Sequence, residues 1–101
     1  MRHLLAVGLV VVVVVACAGP QDRVDGVVVA VDGGLDGVVS FEIVTTTGER
    51  LGFVPDAELD SFVDGAPLSH LNEHLRTGVR VRVTYEDRDG TLVAVAVADA
   101  P

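Results

Sequence analysis

The chain has 101 residues, with 15 acidic side chains against seven basic ones, all arginine, and a formal charge of −8. This acidic excess, with 4% aromatic residues and no tryptophan, is unsuited to nucleic acid, whose binding rests on basic neutralisation of phosphate and on stacking, and to electrostatic adhesion to anionic lipid. A single cysteine excludes an intrachain disulfide, and the length allows one domain.

Arg2 and His3 give a short, weakly cationic start, and Leu4 to Ala16 is a run of 13 residues of Leu, Ala, Val and one Gly. A membrane-spanning helix needs about 20 apolar residues, whereas a signal-peptide core needs roughly 7 to 15. Residues 1–16 therefore read as a signal peptide. Gly19, Pro20, Gln21, Asp22 and Arg23 then end both the apolarity and any helix.

Val14-Val15-Ala16-Cys17 resembles the box of bacterial lipoprotein precursors, with an aliphatic residue three before the cysteine and a small one just before it. The resemblance implies cleavage between Ala16 and Cys17 and acylation at Cys17 by two or three chains such as palmitate. It implies a lipid-anchored place on the extracytoplasmic face of the cell membrane. The partners it implies are the bilayer, through the anchor, and an envelope protein or saccharide beyond it. An ordinary secretory signal or an uncleaved anchor is the alternative reading, but a leftover thiol in an exported domain needs an explanation, and acylation gives one. Without residues 1–16, 85 residues remain, with 15 acids and six bases, a charge of −9. Residues 17–22 form the lipidated cysteine and linker. The stretch Ala18 to Asp22, at about 3.3 to 3.6 Å per residue, reaches less than roughly 18 Å, so a domain over residues 23–99 sits close to the membrane.

From Val24 the pattern is that of strands. Val27, Val29 and Val31 alternate, Asp25-Gly26 interrupts the start, and Asp32 to Gly37 is a dense turn cluster. Val39, Phe41 and Ile43 alternate with Ser40 and Glu42, and Thr45-Thr46-Thr47 extends this into a long second strand that bends. Leu51 and Phe53 share a face of a third strand that Pro55 ends. Asp56 to Gly65 is a polar excursion with Leu59, Phe62 and Val63 tucked under it. Leu68, Leu71 and Leu75 recur at helical spacing between Pro67 and Gly78, with Arg76 in the last turn. Val79, Val81, Val83 and Tyr85 form a half-buried fourth strand. Asp89-Gly90 turns it into a fifth, Thr91 to Ala98, whose valines face one way and alanines the other.

Three strands, a helix and two strands form a pattern similar to the OB-fold. The resemblance implies a mainly β fold: a small, five-stranded, partly closed barrel with one short helix between strands 3 and 4. It also implies a ligand face on strands two and three, about Ser40, Glu42, Val44, Arg50 and Gly52, although a fold does not by itself define a function.

His70 and His74, at i and i+4 on the helix, are a candidate metal pair. Against it, about 100° per residue places His74 roughly 90° from the centre of the leucine face and His70 about 130° away, so both are expected to be solvated. Asp56, Glu58 and Asp60 alternate and Asp64 follows, which brings a calcium loop to mind, but Ser61 stands where an EF-hand wants glycine and Pro67 where it wants an acid. A solvated loop is expected. Arg80 and Arg82 share the outer face of the fourth strand, as an anion stripe or as partners of Glu42 and Glu86. The glycine-rich turn lacks a lysine and a helix start, and no Gly-x-Ser-x-Gly is present. The expectation is a binding or structural module, with metal binding through His70 and His74 as the alternative, no enzyme activity and no cofactor.

Overall fold

A computed structural model describes residues 20–34 and 36–101, so the signal peptide, Ala16 and Cys17 lie outside the described residues. Five strands follow: β1 (Asp22–Gly34), β2 (Gly37–Thr45), β3 (Arg50–Pro55), β4 (Val81–Arg88) and β5 (Thr91–Asp99). A 3-10 turn, Leu68–His70, runs into α1 (Leu71–Thr77) between β3 and β4. The strand order β1-β2-β3-β5-β4 closes into a barrel, antiparallel everywhere except between β3 and β5. This is the mainly β, OB-like architecture expected from the element order. Its thinnest seam is β3–β5, where only Val54↔Val93 and Pro55↔Ala94 pair.

Closure comes from β1 rather than from the long second strand expected. At 13 residues, β1 is long enough to pair with β4 through Asp22–Gly26 and with β2 from Gly26 onward. Register shifts at Val28/Ala30 and Asp32/Gly33 bend it between the two. At the crossing, Gly26 carries both partners. An added Cβ there would lie 2.6 Å from the Val44 carbonyl oxygen, so Asp25-Gly26 permits the bend instead of interrupting the strand. Thr45, by contrast, ends β2. Its hydroxyl accepts the Glu49 N–H at 3.1 Å and stitches the β2–β3 turn, so Thr46 and Thr47 are turn rather than strand.

The core is a cluster of Val28, Phe41, Ile43, Phe53, Phe62, Leu68, Leu71, Val81, Val83, Ala94 and Val97. Along its middle the ring of Phe53 meets Phe41 at 5.4 Å and Tyr85 at 5.2 Å between centroids, within the range of favourable aromatic pairs. Asp89, at φ 55°, and Gly90 form the two-residue turn of the β4–β5 hairpin, with Arg88 opposite Thr91. The expected valine face of β5 is broken by a register shift at Thr84/Tyr85, which pairs Thr84 with Ala96 and Tyr85 with Ala94. Val95 is the residue passed over, and Ala94 is fully buried as a result. Of the residues expected under the loop, Phe62 is buried, whereas Val63 is 73% exposed.

The helix face also differs from expectation. Leu68 and Leu71 are buried, but Leu75 is 39% exposed and His74 takes the third core position at 3%. The cause is the 3-10 start: with three residues per turn, i and i+3 eclipse, so Leu68 and Leu71 stand in line and the inward face continues to His74 instead of to Leu75. Gly78, at φ 75°, ends α1 in the left-handed conformation with its N–H bonded to the His74 carbonyl.

Candidate functional site

His70, His74 and Asp99 offer ligand atoms that all lie within 4.8 Å of one another. Each comes from a different part of the plug and barrel: the end of the 3-10 turn, the body of α1 and the last residue of β5. Asp99 is placed by its pairing with Val81 and by the adjoining Ala100 N–H bond to the Arg80 carbonyl, 3.0 Å.

The imidazole of His74 is fixed from both sides. Nδ1 lies 2.7 Å from the Val79 carbonyl oxygen and Nε2 lies 2.8 Å from Asp99 Oδ1. A carbonyl and a carboxylate oxygen both only accept, so each contact uses a ring N–H, and an ion bound through Nε2 takes the place of the hydrogen there while Nδ1 keeps its own. Phe62 stacks on the same ring, 5.5 Å away and 14° from parallel, and meets His70 edge-on at 5.1 Å. The two imidazoles stand perpendicular at 5.0 Å. The expectation that both histidines are solvated is thus corrected: His74 is a core residue and His70 is half-buried. The cleft above them measures about 220 Å³ and is lined by the triad with Glu73, Thr77 and Val79.

Such an arrangement suits a metal ion. A histidine that binds metal through one ring nitrogen usually donates the other N–H to a carbonyl or carboxylate, which sets its tautomer and direction. Val79 does this for His74 before any ion arrives. Ligand atoms around one zinc stand about 3.3 Å apart when its bonds are near 2.0 to 2.1 Å and tetrahedral. The His74–Asp99 pair needs to open by only about 0.5 Å to admit an ion, and His70, half-buried, has room to turn inward.

The other candidate residues do not converge. Glu42 pairs with Arg50 at 2.6 Å on the outer surface of β2–β3, with Ser40 nearby on the same strand. Neither of the two larger clefts, each about 520 Å³, is lined by Ser40, Glu42 or Arg50. The arginine stripe is corrected as well. Arg82 binds Asp25 across the β1–β4 seam, with contacts of 2.8 and 3.0 Å, and Arg80 reaches the Pro101 carbonyl. Glu86 is taken by Arg88, which also holds Asp56 at 3.0 Å.

These pairs tune the barrel's response to acid. The Arg82 guanidinium holds the Asp25 carboxyl below its ordinary range, and Asp25 in turn raises Arg82. Asp56 is lowered by the Glu58 backbone N–H first and by Arg88 second, and Glu86 by the Gln21 amide first and by Arg88 second. Asp56 and Glu86 raise Arg88. A carboxylate whose folded pKa is depressed stabilises the fold fully above its unfolded value, near 4, and loses that contribution as pH falls through the lower folded value. The contribution of these carboxylates to the melting temperature is therefore expected to be level above about pH 5 and to decline below about pH 4. Because the pairs are partly exposed, the effect is modest. Thermal melts of Arg88→Met should show a shallower decline; a decline as steep as that of the parent would remove Asp56 and Glu86 from the account.

Comparison with family models and with curated proteins finds no match to the chain. Among the described residues, no helix is long and apolar enough to cross a membrane.

Proposed function

We propose that the chain is an envelope lipoprotein, held at the extracytoplasmic membrane face through acylated Cys17, whose acidic barrel is a binding module for a divalent transition-metal ion at His70, His74 and Asp99. The observation that carries the metal reading is the convergence of Asp99, 25 residues distant from His74, on a histidine pair that alone is only an i, i+4 coincidence. The tether rests on the sequence Val14 to Cys17 and on the short apolar run before it.

The described chain begins at the end of β4 opposite the candidate metal site. The chain enters the barrel at Gln21, whose amide donates to Glu86, and Asp22 pairs with Tyr85. The candidate metal site lies at the other end of β4, where Gly26 pairs with Val81 and Val81 with Asp99. Four residues of strand separate the levels, about 13 Å at 3.3 Å each.

Mass action tests the metal reading. At free zinc a hundred times the dissociation constant, the folded state gains about 2.7 kcal/mol, roughly 10 to 20 °C in Tm for a domain of this size. His70→Ala is the informative variant, because His70 is half-buried while His74 is part of the core. Calorimetric melts should show the rise in the parent and lose it in His70→Ala. A rise equal in both chains would sink the assignment.

A further inference from the structure

We infer that the loaded site holds its metal through three protein donors only and keeps a fourth coordination position open to the cleft, where it takes a small carboxylate-bearing or other monoanionic ligand. This rests on the metal-binding reading above.

Three observations carry the inference. First, the donor set is two imidazoles and one carboxylate. Calcium seeks six to eight oxygens, whereas imidazole suits zinc, copper, nickel and iron; the ion belongs to the second group. Second, the nearest further acid is already engaged. Glu73 lines the cleft, but it forms an ion pair with Arg76 one turn of helix away, so its carboxylate is turned to a cation instead of to the triad. Zinc with four protein donors is closed and structural, while zinc with three keeps a position for water or substrate. Third, charge favours an anion there. A divalent ion with one carboxylate and two neutral imidazoles leaves a net single positive charge, and a monoanion completes neutrality. The walls that Thr77 and Val79 provide are small and half apolar, and Val79 is 52% exposed, which leaves space for a compact ligand beside the ion.

The cluster is also built to be rigid where it matters. The backbone of Asp99 is fixed by the β4–β5 ladder and the ring of His74 by Val79 and Phe62, so one donor group and the anchor point of a second are preset. The half-buried His70 ring and the half-exposed Asp99 carboxylate have freedom to adjust. Binding of the ion then ties the 3-10 turn to the end of β5 without disturbing the barrel core.

Cobalt(II) provides the test, since its visible absorption reports both coordination number and exchangeable ligands. The full chain in detergent is titrated with cobalt, then with azide and with acetate. The expected result is one cobalt per chain with the intense visible bands of a four-coordinate site, followed by a saturable spectral change on adding either anion. Asp99→Asn and His70→Ala, which alter partly exposed side chains and leave the core intact, are each expected to weaken cobalt binding by more than the 10- to 100-fold typical of losing a supporting partner. If cobalt binds with four-coordinate bands that neither azide nor acetate alters, the site is closed and the inference falls while metal binding stands. If cobalt binds with only the weak bands of a six-coordinate ion, the inference falls while metal binding stands; if calorimetry finds no cobalt bound, the metal reading falls as well.

Discussion

Replacing Phe53 by alanine is expected to cost about 3 to 5 kcal/mol, the range for deleting a buried aromatic ring. Phe53 is 1% exposed on the middle strand of the β2–β3–β5 side, and its ring is the link between Phe41 and Tyr85. Its removal therefore leaves a cavity and also separates two aromatic partners. The seam it overlooks has only two paired positions, so the neighbouring strands have few ladder bonds with which to hold their places while the cavity relaxes. A domain of this length is stable by roughly 4 to 12 kcal/mol, and the loss corresponds to a fall in Tm of about 15 to 30 °C. Urea unfolding should show a lower midpoint at nearly constant slope. Val63→Ala, at a residue 73% exposed, is the comparison, with an effect within about 0.5 kcal/mol. Equal midpoints for the two variants would mean that the barrel is not centred on this ring.

The order of elements was legible because each strand carries its own punctuation. Asp89-Gly90 between Val83 and Val93 specifies a hairpin almost unaided, and Pro55, Pro67 and Gly78 mark where the backbone changes type. Bends were not legible in the same way. A shift in register is a property of two strands, and no local pattern in Val27 to Asp32 announces that Val28 and Ala30 face consecutive partners on β2. Gly26 was the available sign: a glycine inside a valine run marks a place where another backbone comes close, here that of Val44. Alternation in β5 misled for the same reason, since the bulge at Thr84/Tyr85 exchanges the roles of Val95 and Ala94.

The candidate site was half legible. The i, i+4 histidines stand out in the sequence, but an ideal α-helical wheel puts His74 on the flank, and only the 3-10 turn brings it into line with Leu68 and Leu71. Asp99 has no local signal at all. Hairpin counting offers one route to it: with Asp89-Gly90 as the turn, the residue opposite Val81 is Ala98, and the one-residue bulge makes it Asp99. Since α1 ends just before β4, an acid at that point of β5 faces the helix's last turn. Tertiary pairing, rather than spacing along the chain, assembles the third donor.

Cys17 gives the second large effect. The mature chain is expected to have a mass equal to residues 17–101 plus two or three acyl groups, and to enter the detergent phase on partitioning. At about 0.8 kcal/mol per buried methylene, one chain gives only marginal attachment and two or more give a stable one. The net charge without residues 1–16 is −9, which anionic lipid repels, and the exposed large apolar side chains described are Val39, Val54, Val63, Leu75 and Val79, far less apolar surface than two acyl chains offer. When Cys17→Ala is exported behind an ordinary cleavable signal in place of residues 1–16, it should therefore carry no added mass and remain in the aqueous phase. Two results on the parent chain would overturn the tether. A membrane-bound chain that retains residues 1–16 would be an uncleaved anchor, and a processed chain in the medium with a free Cys17 thiol would be an ordinary secreted protein. Either would leave the His70, His74 and Asp99 geometry in place, because that geometry is held by β4, β5 and α1 and owes nothing to residues before Asp22.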